Sequence, residues 1–287
     1  MKNERILLLL LSAAMFTHIV DFMIIMPLGS QLMELFQISP QQFSLLVSSY
    51  TITAGVSGFL AAFLIDRYDR RQVMIVVYTG FALGTLACAV YPSYGMLLIA
   101  RSLTGAFGGV LGALILSIVS DAIPLERRAK GIGTVMASFG LASVVGVPFG
   151  LFIASKSSWH APFLMLGILA VVIDGLILLY LESMTSHIKE KHERPMAVLT
   201  NIFSSPNARR GLLFTSTLML GHFTVIPFVA PYMVGNVGFD EVQVALIYFV
   251  GGACTLFFSP WVGKMADKHG RLKVFTIFGT LVILPVR

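Results

Sequence analysis

An aspartate sits deep in an otherwise apolar run, His18-Ile19-Val20-Asp21-Phe22-Met23-Ile24-Ile25-Met26-Pro27. An ionised carboxylate inside hydrocarbon is costly, so Asp21 has the character of a group that binds and releases a proton as access to it alternates. The alternative is a carboxylate neutralised by helix contacts with no further task. His18, one helical turn away, can share the proton or simply line the same space. Arg101, in Arg101-Ser102-Leu103-Thr104-Gly105, is an arginine inside an apolar span, which faces a water-filled cavity or an acidic partner. It begins only about a turn and a half into its helix, so extension to the membrane surface is the competing reading. His222, beside Gly221 and followed by Pro227 and Pro231, sits on what reads as a bent helix lining a cavity. Asp174 is also buried by pattern, and packing or an unseen partner accounts for it better than substrate binding.

The elements that must position these residues are membrane spans. Charged residues are 12% of the chain, against roughly 25% in ordinary soluble domains. Crossing about 30 Å of hydrocarbon takes about 20 helical residues. Windows of that length give spans at 6–28, 45–65, 73–91, 95–120, 132–154, 163–181, 212–234 and 244–262, with a ninth beginning near Val274. The segments are too long for barrel strands and none alternates with period two. The fold class is therefore an all-α polytopic membrane protein. The leucine run after Met1-Lys2-Asn3-Glu4-Arg5 imitates a signal peptide, but its apolarity continues to Leu28, which favours a first transmembrane helix.

Basic residues fall on one side of this series: Lys2 and Arg5; Arg67, Arg70 and Arg71; Arg127, Arg128 and Lys130; 189–210; and Lys264 to Lys273. The opposite loops hold only Lys156, with Glu34, Asp240 and Glu241, so the positive-inside rule puts the N-terminus and the basic loops in the cytoplasm. The net charge of +6 thus reflects topology; no basic stripe interleaved with aromatics is present, and nucleic acid is not expected as a partner. Cys88 and Cys254 both fall inside spans, which gives neither a disulfide framework nor a metal spacing. No phosphate-binding Gly-x-x-x-x-Gly-Lys loop, zinc-helix motif or nucleophile elbow occurs, so the chain does not read as an enzyme or as ATP-driven, and no cofactor is implied.

One loop motif occurs twice between apolar spans, as Asp66-Arg67-Tyr68-Asp69-Arg70-Arg71 and as Gly263 to Lys273, which contains Asp267-Lys268-His269-Gly270-Arg271. The repeat resembles the signature loop of the major facilitator superfamily, which joins its second and third helices and, in the second half, its eighth and ninth. The first copy has Ala62 and Asp69 where the second has Gly263 and Gly270, so it is expected to keep the charge logic with a less standard turn. The resemblance implies a six-helix bundle over 1–181, a cytoplasmic linker over 182–210 and a partial second bundle over 211–287, as if the chain were truncated at its C-terminal side. It also implies that Asp66, Arg67, Arg70, Arg71, Asp121, Asp267, Gly270 and Arg271 belong to gating loops, with Glu126 near the same level.

Gly140 and Gly146-Val147-Pro148-Phe149-Gly150 resemble the glycine-proline element of antiporters in that superfamily, here split by Val147. Gly146, Pro148 and Gly150 predict a kink that either serves rocking of the bundles or only shapes packing. Gly105 and Gly108 read first as packing glycines. Trp159 and Phe163 read as an interfacial belt. The position of Asp21 resembles the first-helix acid of drug-proton antiporters. The resemblance therefore implies proton-coupled efflux of a small-molecule substrate by alternating access, in the cell (inner) membrane. The partners would be protons, the substrate and the lipid bilayer. An uptake symporter for a metabolite and a non-transporting remnant of such a carrier are the alternatives.

Overall fold

The computed structural model describes the backbone of residues 4–90, 93–185, 188, 200 and 203–283. It describes their side chains except at 129, 241, 256, 259, 260, 263, 264, 266, 267, 271, 282 and 283. The described chain is helical throughout: α1 (Glu4–Ile24), α2 (Gly29–Phe36), α3 (Pro40–Ala61), α4 (Arg70–Val90), α5 (Tyr94–Ala122), α6 (Leu125–Leu141), α7 (Val147–Lys156), α8 (His160–Tyr180), α9 (Pro206–Tyr232), α10 (Glu241–His269) and α11 (Arg271–Ile283). A 3₁₀ turn at Ile65–Arg67 follows α3, and π-helical turns occupy Ala142–Gly146 and Met233–Val237. Among the described residues, seven segments are long and apolar enough to span a membrane, six before residue 181 and one at Pro206–Val237. The apolar stretches described in α10 and α11, Val242–Thr255 and Leu272–Leu281, are shorter. Residues 206–210, expected in the linker, form the first turn of α9 instead, because Ser205 caps it by accepting from the Ala208 N–H and Pro206 supplies a preset φ.

Local chemistry sets the other boundaries. Ser39 and Gln42 form a reciprocal capping box with Pro40 at the first helical position, so α3 starts five residues earlier than hydropathy alone suggests. Ser93 caps α5 through the Met96 N–H. The first apolar run, expected as one span to Leu28, breaks after Ile24, and α2 then closes with Gln37 in the left-handed region at φ 51. Hydropathy could not separate α2, because residues 25–28 are as apolar as the helix before them. α2 also corrects the expected aromatic belt. Trp159 and Phe163 are buried, at 6% and 0% exposure, and Trp159 packs edge-on against Phe36 of α2 with centroids 5.6 Å apart.

The core of the first six spans is joined by close backbone approaches. α3 and α5 cross where Gly105 meets the Tyr50 backbone, Gly109 meets the Ala54 backbone and Gly58 faces the Gly109 carbonyl. Gly108 lies under the Tyr50 hydroxyl and the His18 ring. These contacts account for Gly105 and Gly108 as packing positions. In the fifth span, the Val147 N–H reaches back to the Ala142 carbonyl, opening a π-helical turn directly before Pro148, which has no N–H to give. Gly146 there admits Val20, and Gly150 admits Ile24, with 2.7 Å to the place a Cβ would occupy. From the second half, Gly252 of α10 lies against Ser143 and Val144 of the same turn. The glycine-proline element thus carries a π-helical turn at which α1 and α10 both approach.

These contacts predict opposite outcomes for two neighbouring glycines. Gly109→Ala should destabilise the detergent-solubilised protein by about 1–3 kcal/mol through overpacking against the α3 backbone. Gly112, with nothing within 4 Å of its Cβ position, should gain roughly 0.5–1 kcal/mol on mutation to Ala. Thermal unfolding of the two variants checks both signs.

Candidate functional site

Four helices of the first bundle converge on one fully buried ion pair. α1 carries Asp21 and α5 carries Arg101, and both side chains are 0% exposed. Arg101 Nη1 donates to Asp21 Oδ2 at 2.9 Å and to the Asp21 carbonyl at 3.2 Å. From α4, Thr85 Oγ1 donates to Asp21 Oδ1 at 3.1 Å. From α3, the Tyr50 ring lies 4.4 Å from the Arg101 guanidinium carbon, a cation–π contact. Tyr50 Oη shares a 3.1 Å hydrogen bond with His18 Nδ1, and the His18 ring stands edge-on to Phe81 at 5.8 Å. Arg101 therefore turns inward to the acid and does not extend to the membrane surface.

The geometry permits a specific chemistry. If the Asp21 carboxylate takes a proton, Arg101 loses the charge of its partner but keeps the Asp21 carbonyl and the Tyr50 face. Its Nε and Nη2 are buried without a hydrogen-bond partner, so the cation retains unused donors in either state. Removing one member of such a pair is expensive because the other is left uncompensated in low dielectric. Thr85 and Tyr50, which complete the pair, carried no motif in the sequence; a hydroxyl or phenol inside a span is too common to single out.

The remaining candidates divide by position. Phe22 packs against Phe223 of α9 at 5.8 Å, yet His222 itself is exposed and makes its ring contact with the adjacent Phe223, away from the ion pair. Asp174 accepts from Thr79 Oγ1 at 2.6 Å across the α4–α8 interface, an interhelical partner of the kind expected. A cleft of about 300 Å³ runs between α3 and α9, with Ser44, Ser48 and Thr51 on one wall and Ser216, Met219 and Phe223 on the other.

At the basic end, Arg70 is 5% exposed and bridges two acids, Asp66 Oδ1 at 2.7 Å and Asp121 Oδ2 at 3.0 Å. Arg71 Nη2 donates to the Leu178 carbonyl at 2.8 Å. Arg67 and Glu126 are exposed and make no ion pair among the described residues. The side chains of Asp267 and Arg271 lie outside the described residues. The two loop copies differ as expected in their turns: Gly270 has φ 92, whereas Asp69 is not among the residues with positive φ. Asp69 instead binds the chain that follows α8. Its carboxylate accepts from the Arg71 N–H at 2.9 Å, the Met184 N–H at 2.8 Å and Ser183 Oγ at 2.5 Å, while the Arg70 N–H donates to the Met184 carbonyl at 3.3 Å. This strap went unread in the sequence, where Asp69 stood only for a missing glycine.

Comparison with known proteins agrees with this architecture. The sequence profile of the Major Facilitator Superfamily matches residues 11–286. The uncharacterized MFS-type transporter YhcA of Bacillus subtilis is 24% identical, over 98% of this chain and 62% of that protein. The inner membrane transport protein YdhP of Escherichia coli is 23% identical, over 84% of this chain and 62% of that protein. Among solved structures, an inward-facing, unoccupied bacterial homolog of the human lysosomal transporter Spinster superposes with a TM-score of 0.75 at 18% identity, covering 93% of this chain and 64% of that one. A D-xylose-proton symporter gives 0.66 at 17% identity, covering 92% and 69%. The chain thus spans somewhat under two thirds of the length of several of these relatives.

The Asp69 strap has a pH signature. Burial pushes its carboxyl up, but the hydrogen bonds from Ser183, Met184 and Arg71 with the Arg71 charge outweigh this and hold it below the usual carboxylate range. Its stabilisation is therefore complete above the unfolded value of about 3.9 and is lost as pH falls through the lower folded value. Amide exchange at Met184, corrected for intrinsic rate, should stay protected at pH 4 and lose protection only in stronger acid. In Asp69→Ala that protection should be absent at every pH; retention of it would mean the strap holds without the carboxylate.

Proposed function

The chain belongs to the Major Facilitator Superfamily, and on that premise we propose that it works in proton-coupled secondary transport, exporting a small molecule by alternating access. It is an integral membrane protein, and its named relatives are transporters rather than enzymes. The observation that carries the proton reading is the Asp21–Arg101 pair, fully buried at the meeting point of four helices. Asp21 is the proton-carrying acid and Arg101 its counter-ion. Protonation releases Arg101 Nη1 from the carboxylate and adds it to Nε and Nη2, which are unpartnered in either state, as donors for a water or a polar group of the substrate. His18, through Tyr50, couples the same cluster to the cavity side of α1. His222 is a secondary candidate on the opposite half, close in sequence to the Phe223 wall.

Several features support the transport cycle in this reading. The halves touch through Gly29 and Pro231 and through Phe22 and Phe223, toward the end opposite the basic loops. That end is the closed one, and it faces outward in the cell (inner) membrane, with the N-terminus cytoplasmic. Gly146, Pro148 and Gly150 form the bend about which the halves rock. The Asp66–Arg70–Asp121 bridge, with Arg67 and Arg71 beside it, holds the inner ends of α4 and α5 as a gate; Asp267, Gly270 and Arg271 are its counterpart in the second half. The polar-lined cleft between α3 and α9 is part of the wall along which the substrate passes. Proton entry down the gradient of an energised membrane drives export in this reading because proton and substrate occupy the site alternately rather than together.

Proton binding can be read on this chain directly. A carboxylic-acid infrared band should appear as pH is lowered, vanish in Asp21→Asn and also be missing in Asp21→Asn/Arg101→Gln, which removes both charges and so avoids a stranded cation. An unchanged band in Asp21→Asn would take the proton away from Asp21. In everted vesicles, ethidium movement driven by an imposed proton gradient should be lost in the same variants. Gradient-driven movement in the reverse sense would assign uptake, and no coupled movement in either sense would assign a non-transporting member.

The orientation is separately testable. In a Cys254→Ser background, an impermeant maleimide should label Ser93→Cys in intact cells but Asn207→Cys only after permeabilisation. The reversed pattern would invert the topology.

A further inference from the structure

A second polar feature lies away from the transport site, where α1 and α6 begin side by side at the basic end. They bound a cavity of about 570 Å³ with Arg5 on one wall and Arg127 and Lys130 on the other, Leu8 at its apolar floor and Thr134 beyond. Arg127 is already paired, to Glu4 Oε2 at 3.0 Å. Arg5 and Lys130 form no ion pair among the described residues, so the pocket keeps two uncompensated cations. Gly131 also lines it, and the space a Cβ would need there is taken by Ile123 at 2.7 Å and Val119 at 3.2 Å, so this glycine lets α6 pack closely on the end of α5 beside the cavity.

The surroundings point to what enters. Four residues beyond Arg5 on α1 lies Leu9, 69% exposed, and seven beyond Thr134 on α6 lies Leu141, 50% exposed. Residues four and seven apart share a helix face, so the cations stand at the head of an apolar, outward-facing strip. Both helices start here and turn apolar within a few residues, Ile6 onward in α1 and Ile132 onward in α6. That is the level of a phospholipid headgroup, with acyl chains alongside the leucines. Basic pockets between membrane helices are suited to anionic headgroups, each cation contributing about a fivefold gain in affinity.

We propose that this pocket binds the phosphate of an anionic phospholipid, with Arg5 and Lys130 as its ligands and Thr134 Oγ1 as a neighbouring hydroxyl. Thr134 borders the pocket, but its O–H is spent on the Lys130 carbonyl at 2.9 Å, so binding rests on the two cations. The site is independent of the proton reading, since none of its residues touches the Asp21–Arg101 cluster.

The test uses the purified chain and native mass spectrometry with phosphatidylglycerol or phosphatidylcholine as probe. Phosphatidylglycerol should bind preferentially to the wild type. Arg5→Gln/Lys130→Gln should lose about fivefold per charge, and the charge-retaining Arg5→Lys/Lys130→Arg should keep the preference. Thr134→Trp, which fills the cavity and leaves every charge in place, should lose it as well. Equal binding of the two lipids, or a preference that survives both the double neutralisation and Thr134→Trp, overturns the proposal. So does competition by millimolar inorganic phosphate that abolishes lipid binding, because the pocket would then be a site for a soluble anion.

Discussion

A carboxylate and a guanidinium can be kept in the middle of a membrane bundle only if each is the other's solvent, and much of the first bundle's packing is arranged around that requirement. Either ion alone would cost several kcal/mol in this setting. As a pair they need contact at hydrogen-bond range, which fixes α1 against α5, and they need the remaining faces covered. Thr85 covers one carboxylate oxygen and Tyr50 covers the guanidinium face. Tyr50 reaches that position because α3 crosses α5 at backbone contact, at Gly105 and between Gly58 or Ala54 and Gly109, while Gly108 leaves room for the Tyr50 ring. The small residues of α5 are thus connected to the charge chemistry through a single aromatic ring.

The same residues show how far the sequence could be read. Asp21 and Arg101 were recognisable because charge is rare in apolar runs, and the glycines because their spacing is helical. Their pairing was not recognisable, since residues eighty apart meet only through tertiary packing. The long spans followed from hydropathy to within a few residues, and the exceptions have local causes: the Ser39 box and the Ser205 cap extend helices into polar sequence that hydropathy excludes. α2 was invisible because a turn made of Ile25, Met26, Pro27 and Leu28 is as apolar as the helices it separates. Trp159 was misread for the same reason: its burial depends on α2 lying over it. The loop charges of the first signature copy were legible, but the strap from Asp69 to Ser183 and Met184 joins segments more than a hundred residues apart and leaves no periodic trace.

The wide turn of the fifth span connects the two halves in a way composition could not have indicated. Pro148 withholds one donor, and the chain carries a π-helical turn before it instead of a break, so the span continues as helix to Lys156. Val20 and Ile24 of α1 fill the notches that Gly146 and Gly150 leave, whereas Gly252 brings α10 against the backbone of the turn itself. The α1 side is thus interlocked and the α10 side smooth, so in the proposed cycle a shift between the halves falls on the α10 face.

The divergence between the two signature loops has a mechanical meaning. At Gly270 the backbone takes a left-handed bend that an L side chain rarely adopts, and no described residue lies within 4 Å of its Cβ position. At Asp69 the equivalent corner is clamped by three hydrogen bonds to one carboxylate, two of them from the segment leaving α8. Two copies of one motif thus turn their corners by different means, one by glycine's backbone freedom and the other by side-chain bonding. Because Asp69 and Arg70 both bond to Met184, any displacement of the segment leaving α8 is handed directly to the first turn of α4.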